Sequence, residues 1–508
     1  MKPSRSQLFV TFCLMFLIHA SAATLYVNLN STNPVPPYAD WTTAATNIQD
    51  AIDASSDGDA VLVTNGIYAF GGEDVYGSNR VAVTKAITVQ SMNGPAATVI
   101  EGLTNGVNVR CVFLTNGATL VGFTLTNGSA SGMFSAGGVL SSGYNSSIIS
   151  NCVVTGNSAP LGGGGGASGG VFYNCIITGN YGNNGGGVFA ATLYNCLVSS
   201  NSAGSGGGCF SGTAYNCQFI GNTAANGGGG YSSFFQNCLL TGNVANGSFG
   251  GGAAYQGTLE NCTVVMNHCN SFNGGIVGGA YNCGACISSI IYNNTSFSHA
   301  STPNYSGGGY QYNCCTTPLP ANGSGDITSD PMLVNPSGGD FHLSSNSPCI
   351  NSGNNAYVTS TTDLDGNPRI VGGTVDIGAY EYQTPVSKIS YAWLDQYGLP
   401  ITNNIDAADL DGTGFNVYQD WVAGLNPTNA LSILAMLATA PTNNPTGLVV
   451  KWESVNTRTY FLQSSTNLGA KPAFSTIQSN IVGQTGTTTY TDTTATNRGP
   501  YFYRVGVQ

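Results

Sequence analysis

The sequence predicts an all-β protein whose body is a parallel β-helix, a solenoid of short strands stacked coil on coil. Three observations carry this. One unit recurs between residues 151 and 267: Asn-Cys, two mostly apolar residues, two small or polar ones, Asn, a spacer and a glycine run. Examples are Asn174-Cys175-Ile176-Ile177-Thr178-Gly179-Asn180 and Asn216-Cys217-Gln218-Phe219-Ile220-Gly221-Asn222. Its cysteines, Cys152, Cys175, Cys196, Cys217, Cys238 and Cys262, lie 23, 21, 21, 21 and 24 residues apart, a near-constant period that marks a solenoid. The residue two after each Cys is always apolar (Val154, Ile177, Val198, Phe219, Leu240, Val264), whereas the one between them includes Gln218 and Thr263. Cys and its second neighbour therefore share the inward face of a strand, and the position between them tolerates water. Finally, a 21-residue coil has room for three short strands and three turns but not for a strand with an ordinary helix, and no stretch of the repeats has a 3.6-residue apolar period.

Each element of the unit has a physical role. The Asn five residues after each Cys (Asn157, Asn180, Asn201, Asn222, Asn243, Asn267) is expected to stack at one turn, its amides bonding along the axis. The Asn before each Cys forms a second column. The glycine runs 185–187, 206–208, 227–230 and 250–252 lead into the next strand, where the backbone turns sharply or is approached closely. No Gly-Lys-Ser/Thr follows them, which argues against a phosphate cradle. In-register cysteines on neighbouring coils point the same way, too far apart at the β-carbons for a disulfide, so a ladder of buried thiols acting as small hydrophobes is expected. A straight column also makes no tetrahedral metal site. Some of the other cysteines, Cys111, Cys209, Cys269, Cys283, Cys286, Cys314, Cys315 and Cys349, are candidates for pairing; the lone Cys283-x-x-Cys286 is a poor zinc signal.

In chain order, residues 1–22 read as an export signal, with Lys2 and Arg5, an apolar run 8–18 and Ala20-Ser21-Ala22 as the cleavage site. No later segment is apolar enough to span a bilayer. Residues 23–385 make up the β-helix. In its first part Ile48, Ala51 and Ile52 fall on one helical face, and such a helix would shield the open edge of the first coil. The run Asn47-Ile48-Gln49-Asp50-Ala51-Ile52-Asp53, followed by Gly58-Asp59-Ala60-Val61-Leu62-Val63 and Gly66-Ile67-Tyr68, resembles the N-terminal cap of pectate-lyase-like right-handed β-helix proteins. Right-handedness is implied by that resemblance and by the general bias of parallel crossovers. The repeats themselves are similar to those of polymorphic outer-membrane proteins, which form β-helical, often adhesive, passenger regions; no β-barrel translocator pattern follows here. The segments Asp330-Pro331, Gly339-Asp340-Phe341-His342-Leu343, Ser347-Pro348-Cys349-Ile350, Asp363-Leu364-Asp365-Gly366 and Asp376-Ile377-Gly378-Ala379-Tyr380-Glu381 resemble the closing segment of secreted bacterial β-helix proteins of the choice-of-anchor Q type. That resemblance implies a terminal coil with a C-terminal cap and a surface location. Asp363 and Asp365 are either turn-forming carboxylates or calcium ligands.

Residues 386–440 change character. The loop 409–420 places Asp409 and Asp411 at positions one and three, Thr413 at five, Phe415 with its carbonyl at seven and Asp420 at twelve, with Gly414 at six, as an EF-hand-like calcium loop requires. It is similar to the single loops of dockerins and thrombospondin type 3 repeats, with Thr413 and Val417 departing from the usual polar ligands. Calcium is the one cofactor expected. Residues 441–508 form a small antiparallel β domain with strands near 448–453, 460–464, 487–491 and 501–507. Its Tyr501-Phe502-Tyr503-Arg504-Val505 resembles a strand of fibronectin type III domains.

Only 7% of residues are charged, and between Cys111 and Gly325 the sole Asp, Glu, Lys or Arg is Glu260. The central coils therefore supply neither the carboxylate pair of a glycosidase nor the base and cations of a lyase. His268 and Cys269 face opposite ways on a strand and do not form a nucleophile–base pair. Acids and cations for catalysis would have to come from Glu73, Asp74, Arg80, Lys85, Glu101 and Arg110 or from the closing segment. A net charge of −11 argues against nucleic acid as a partner. Tyr173, Tyr194 and Tyr215 form a column that is an aromatic strip for sugar rings if outward and packing if inward; its parity with the buried Cys favours inward. The reading is a secreted or surface, monomeric, non-catalytic β-helix with a structural, adhesive or glycan-binding role, its partners polysaccharide or cell-surface components. The alternative is a polysaccharide lyase or glycoside hydrolase acting on acidic plant or algal-type polysaccharide.

Overall fold

A computed structural model describes residues 22–102, 108–115, 117–132, 135–143, 146–247, 250–271, 277–297, 303–437, 447–496 and 499–508. All but the last residue of the export signal lies outside these. The chain divides into two compact units, Met1–Asn183 with Val188–Thr192, and Asn184–Gly187 with Leu193–Gln508. Both are built as right-handed parallel β-helix.

In the first unit the strand Thr24–Val27 pairs in parallel with Ala60–Val63, which pairs with Thr88–Ser91, and the ladder continues through Thr119–Val121 and Ile148–Ser150 to Val171–Tyr173. The predicted helix is present as Ile48–Ala54, capped by Asn47, whose side chain accepts from the Asp50 amide; it buries Ile48, Ala51 and Ile52. It shields an edge through one side chain. Gln49 accepts from the Ala82 amide at 2.8 Å and donates to the Ala82 carbonyl at 3.2 Å, supplying the bonds that a neighbouring strand would have made.

The regular coils of the second unit carry four short strands, not three. After Leu197–Ser199 the chain turns at Asn201 into Ser202–Ser205, turns again at the glycines into Cys209–Phe210, and then enters Thr213–Tyr215. The extra strand exists because the buried Asn makes a corner rather than ending the strand region. Asn222 Nδ2 donates to Asn243 Oδ1 at 3.0 Å and to the Val198 carbonyl at 2.9 Å, and the same Asn243 oxygen accepts the Asn222 amide at 3.0 Å. The column repeats at Asn201, Asn243 and Asn267 and runs on through Asn294 to Asn304, which donates to the Thr317 carbonyl, so each buried amide is satisfied by the coil beside it. At the next corner a β-carbon on Gly207 would meet the Gly228 carbonyl oxygen at 2.4 Å. Only glycine permits coils to stack so closely there.

The cysteines are more than small hydrophobes. Asn195, Asn216, Asn237 and Asn261 sit at φ of 50–56°, turning the chain ahead of each Cys. The Cys196 amide then donates to Cys217 Sγ at 3.3 Å, Cys217 to Cys238 Sγ at 3.4 Å, and Cys262 to Ser289 Oγ at 3.0 Å. All fourteen cysteines from Cys111 to Cys349 are buried thiols and none is in a disulfide, including those outside the ladder.

The closing segment does not simply extend the last coil. It folds back along the flank of the helix, where Phe341, Cys349, Ile350, Ile377, Ala379 and Tyr380 cover the outward side chains Leu239, Val265 and Ile290. Backbone and side-chain bonds fasten it: Gly378 N to Ser288 O, Ala379 N to Thr263 Oγ1, Asn261 Nδ2 to Tyr357 O and Asn237 Nδ2 to Thr362 O. The position after Cys, expected to tolerate water, is thus buried at Leu239, Thr263 and Ile290. The helix Tyr391–Gln396 and the helix Val417–Ala423 join the same core through Tyr391, Leu394 and Val417. The C-terminal β region is two three-stranded antiparallel sheets rather than one. Leu448–Ser454 lies between Met436–Leu437 and Gly486–Asp492, and Thr459–Ser465 lies between Ser475–Val482 and Phe502–Val507. Trp452, Tyr460, Val450 and Leu462 fill its core. Among the described residues no helix is long and apolar enough to cross a membrane.

Candidate functional site

The flank is covered over the coils of Cys238 and Cys262 and opens beside those of Cys196 and Cys217. There a cleft of about 470 Å³ lies between Asn195, Leu197, Asn216 and Gln218 on the coils and the loop 362–366 of the closing segment. The coil wall is amides and one apolar side chain because the corner asparagine and the position after Cys both project outward.

The loop wall is set by carboxylates. Asp363 accepts from the amides of Asp365, Asn367 and Glu381, so it is a buried turn-former with both oxygens committed to backbone. Asp365 instead reaches His342 Nε2 at 2.5 Å, while His342 Nδ1 meets Asp340 at 2.6 Å. Asp340 and His342 are alternate residues of the strand Asp340–Leu343 and so share a face, and the His342 ring lies 4.4 Å from that of Tyr380. Partial burial of the ring opposes its charge, but bonds to Asp365 and then Asp340 outweigh this and raise the His342 pKa. The ring is a clamp that bridges Asp365 at the cleft to Asp340 behind it. Sequence reasoning missed it, although the i, i+2 spacing of Asp340 and His342 in a strand was a readable signal.

Behind the loop, Arg369 donates to Glu381 at 3.2 Å and to the Gly378 carbonyl at 2.5 Å. Asp376 accepts from the amides of Asn351 and Tyr382. Burial pushes the Asp376 carboxyl up to about 7 and the Glu381 carboxyl up to about 8, against the pull of Arg369.

The N-terminal candidates are structural. Arg80 donates to the carbonyls of Glu101, Gly71 and Gly102, and Arg110 to Asn79 Oδ1 and the Ala136 carbonyl. Lys85 Nζ caps the helix through the carbonyls of Ile52, Asp53 and Ser55. Glu73 and Asp74 form an exposed antiparallel ladder with Ser78 and Asn79, and Glu101 accepts from Asn127. Glu260, the lone central carboxylate, accepts from Gln236, and burial raises its pKa. His268 is outward beside inward Cys269, as the strand alternation required, and bonds Thr295 and Asn270.

The tyrosine column is outward, against the parity argument. Tyr173 is 37% exposed, and Phe172 takes the inward place. The intervening corner asparagine reverses the side-chain alternation, so parity does not carry from Tyr to Cys. Nor is the column a flat strip. The Tyr194 and Tyr215 rings stack 5.0 Å apart at 11°, and on another sheet Phe210 and Tyr231 stack 4.7 Å apart at 6°. Such rings turn their faces to each other and their edges to solvent.

In the loop 409–420, Asp409 accepts from the amides of Gly412 and Gly414, and Asp411 from Thr413, whose hydroxyl in turn accepts from the Phe415 amide. Asp411 Oδ2 and Asp420 Oδ1 are buried without a partner. Burial, then the charges of Asp411 and Asp409, push Asp420 up to about 6. No group of three or more His, Cys, Asp or Glu side chains among the described residues is gathered as a metal cluster. The loop thus offers two unpartnered acidic oxygens, with Asp409 turned to its own backbone.

No family model matches the chain, and no curated protein matches it in sequence. Its fold is similar to that of solved β-helix proteins. The pectate lyase Pel9A aligns at 14% identity over 72% of this chain and 97% of its own, with a TM-score of 0.46. A rhamnogalacturonan lyase aligns at 12% over 75% and 100%, TM-score 0.40, and the pectin methylesterase PemA from Erwinia chrysanthemi at 12% over 61% and 94%, TM-score 0.30. The likeness is one of fold and brings no activity with it.

Proposed function

We propose that this is a secreted or surface-held, non-catalytic β-helix that binds polysaccharide on the flank of its coils. The observation that carries the reading is the flank cleft, an open recess walled by Asn195, Asn216 and Gln218 and by Asp365, which His342 holds in place. Amides and a carboxylate are the donors and acceptors that recognise sugar hydroxyls. The commitment of Asp363 to backbone supports binding over chemistry, since it leaves no second carboxylate in the cleft for an acid–base pair. The test is a polysaccharide array that records both retention and released sugar. Retention without release, weakened by Asn216→Ala with Gln218→Ala, is expected. Released sugar that disappears in Asp365→Asn or His342→Ala would replace this reading with a lyase or hydrolase.

The loop 409–420 is proposed to bind calcium through Asp409, Asp411, Thr413, the Phe415 carbonyl and Asp420. The unpartnered oxygens of Asp411 and Asp420 favour it. Calcium is expected to raise the melting temperature, and Asp420→Ala to remove that shift; an intact chain whose melting is the same in calcium and in chelator would refute it.

A further inference from the structure

A second recess, of about 360 Å³, is lined by Trp393, Trp421, Asp326, Asn351, Gln396 and Arg458. We propose that it binds a neutral sugar. The inference stands on residues separate from those of the flank cleft. Two of the chain's four tryptophans meet here. Each is steadied by an aromatic neighbour, Trp393 by Tyr397 at 4.8 Å and 61° and Trp421 by Tyr418 at 5.7 Å and 50°. Neither contact is a parallel stack, unlike those in the coil ladders, and indoles so held are suited to packing against the apolar face of a sugar ring.

The polar lining selects for hydroxyls. Asp326 accepts from the Cys314 amide through Oδ1, but its buried Oδ2 has no partner; Asn351, 1% exposed, donates to the Ser387 carbonyl, yet its Oδ1 is also buried and unpartnered. Both atoms are closed to solvent as the recess stands, and acceptors buried without donors carry a free-energy cost that a ligand's O–H groups relieve once the lining parts around it. Arg458 donates to the carbonyls of Trp421, Val422 and Thr457, which leaves part of its five-donor guanidinium for a ligand. One carboxylate and one guanidinium in the same lining give it no net charge with which to select an ion of either sign. A neutral polyhydroxylated ring satisfies acceptors and donor together, and the volume suits one or two such rings.

The test is tryptophan-fluorescence titration of the purified full chain with neutral hexasaccharides of gluco, manno, xylo and galacto configuration, with an oligogalacturonate and choline as charged probes. At least one neutral hexasaccharide is expected to change the emission saturably. Trp393→Ala and Trp421→Ala should each weaken it by roughly tenfold or more. Asp326→Asn, which keeps the acceptor for the Cys314 amide, should weaken it several-fold without altering the melting temperature. The flank pair Asn216→Ala with Gln218→Ala should leave it unchanged, which separates this site from the flank cleft. Silence across the neutral panel, a response that survives both tryptophan variants, a response lost with the flank pair, or preference for a charged probe would each overturn the proposal.

Discussion

The coils and the closing segment bury polar groups in opposite ways. In the coils the buried groups are neutral and repeated: Asn201, Asn222, Asn243 and Asn267 each satisfy the next by the same two bonds. In the closing segment they are ionisable and used once, with Arg369, Asp376, Glu381 and Asp363 bound to one another or to particular amides. Repetition makes the difference. An amide carries donor and acceptor together and so complements a copy of itself one coil away, whereas a carboxylate stacked on its copy would repel it. Where the chain leaves the repeat, it has no copy to pair with, and an ion network holds one particular arrangement.

Substitutions can break this contrast. The largest expected effect is from Arg369→Met, which leaves Glu381 and Asp376 buried without their cation; a loss of about 3–5 kcal/mol in denaturant unfolding is expected. Loosening should begin at the flank contacts of Thr263 and Asn261, read by amide hydrogen exchange. A variant as stable as the wild type would mean that the network is not what holds the segment.

Asn222→Ala removes an acceptor for the Asn201 amide and side chain, and both bonds of its own amide. A loss of roughly 2 kcal/mol is expected from the unsatisfied groups left behind, and a smaller one, about 1 kcal/mol, for Asn216→Ala in the same melts, since it strains a left-handed corner and removes an acceptor of Asn237. Cys217→Ser should cost less, about 1 kcal/mol or below, because the molecule already carries Ser289 in the equivalent place, accepting from Cys262 at 3.0 Å.

The smallest effect concerns the exposed clamp. His342 binds its proton more tightly folded than unfolded, so its contribution is fully present below about pH 6.5 and is lost as pH rises through the higher folded value. The melting temperature of the wild type should therefore fall across that window more than that of His342→Gln. Parallel pH profiles would show that the clamp does not couple to folding.

The cleft was only half legible. Its coil wall follows from the repeat, since Asn195, Asn216 and Gln218 are projected outward by their place in the unit. Its loop wall does not, because Asp365 lies far from those residues in sequence and arrives only when the closing segment folds back. The position after Cys carried no sign of that folding: it is apolar at Leu239, which the closing segment covers, but also at Ile176, 41% exposed, and at Leu197 on the open cleft wall. The tyrosine parity failed because a left-handed corner residue resets the alternation on which a period-two reading depends.

By itself, the sequence determined the solenoid, its inward Cys and apolar positions, its amide column and its capping helix, because each is dictated by contacts between a residue and its own repeat or near neighbour. Only the tertiary structure decided the fourth strand of the regular coils, the path of the closing segment, the pairing of His342 with Asp365 and the placing of Trp393 and Trp421 in one recess. Those contacts join segments that share no period, and a one-dimensional pattern carries no information about where two unrelated surfaces meet.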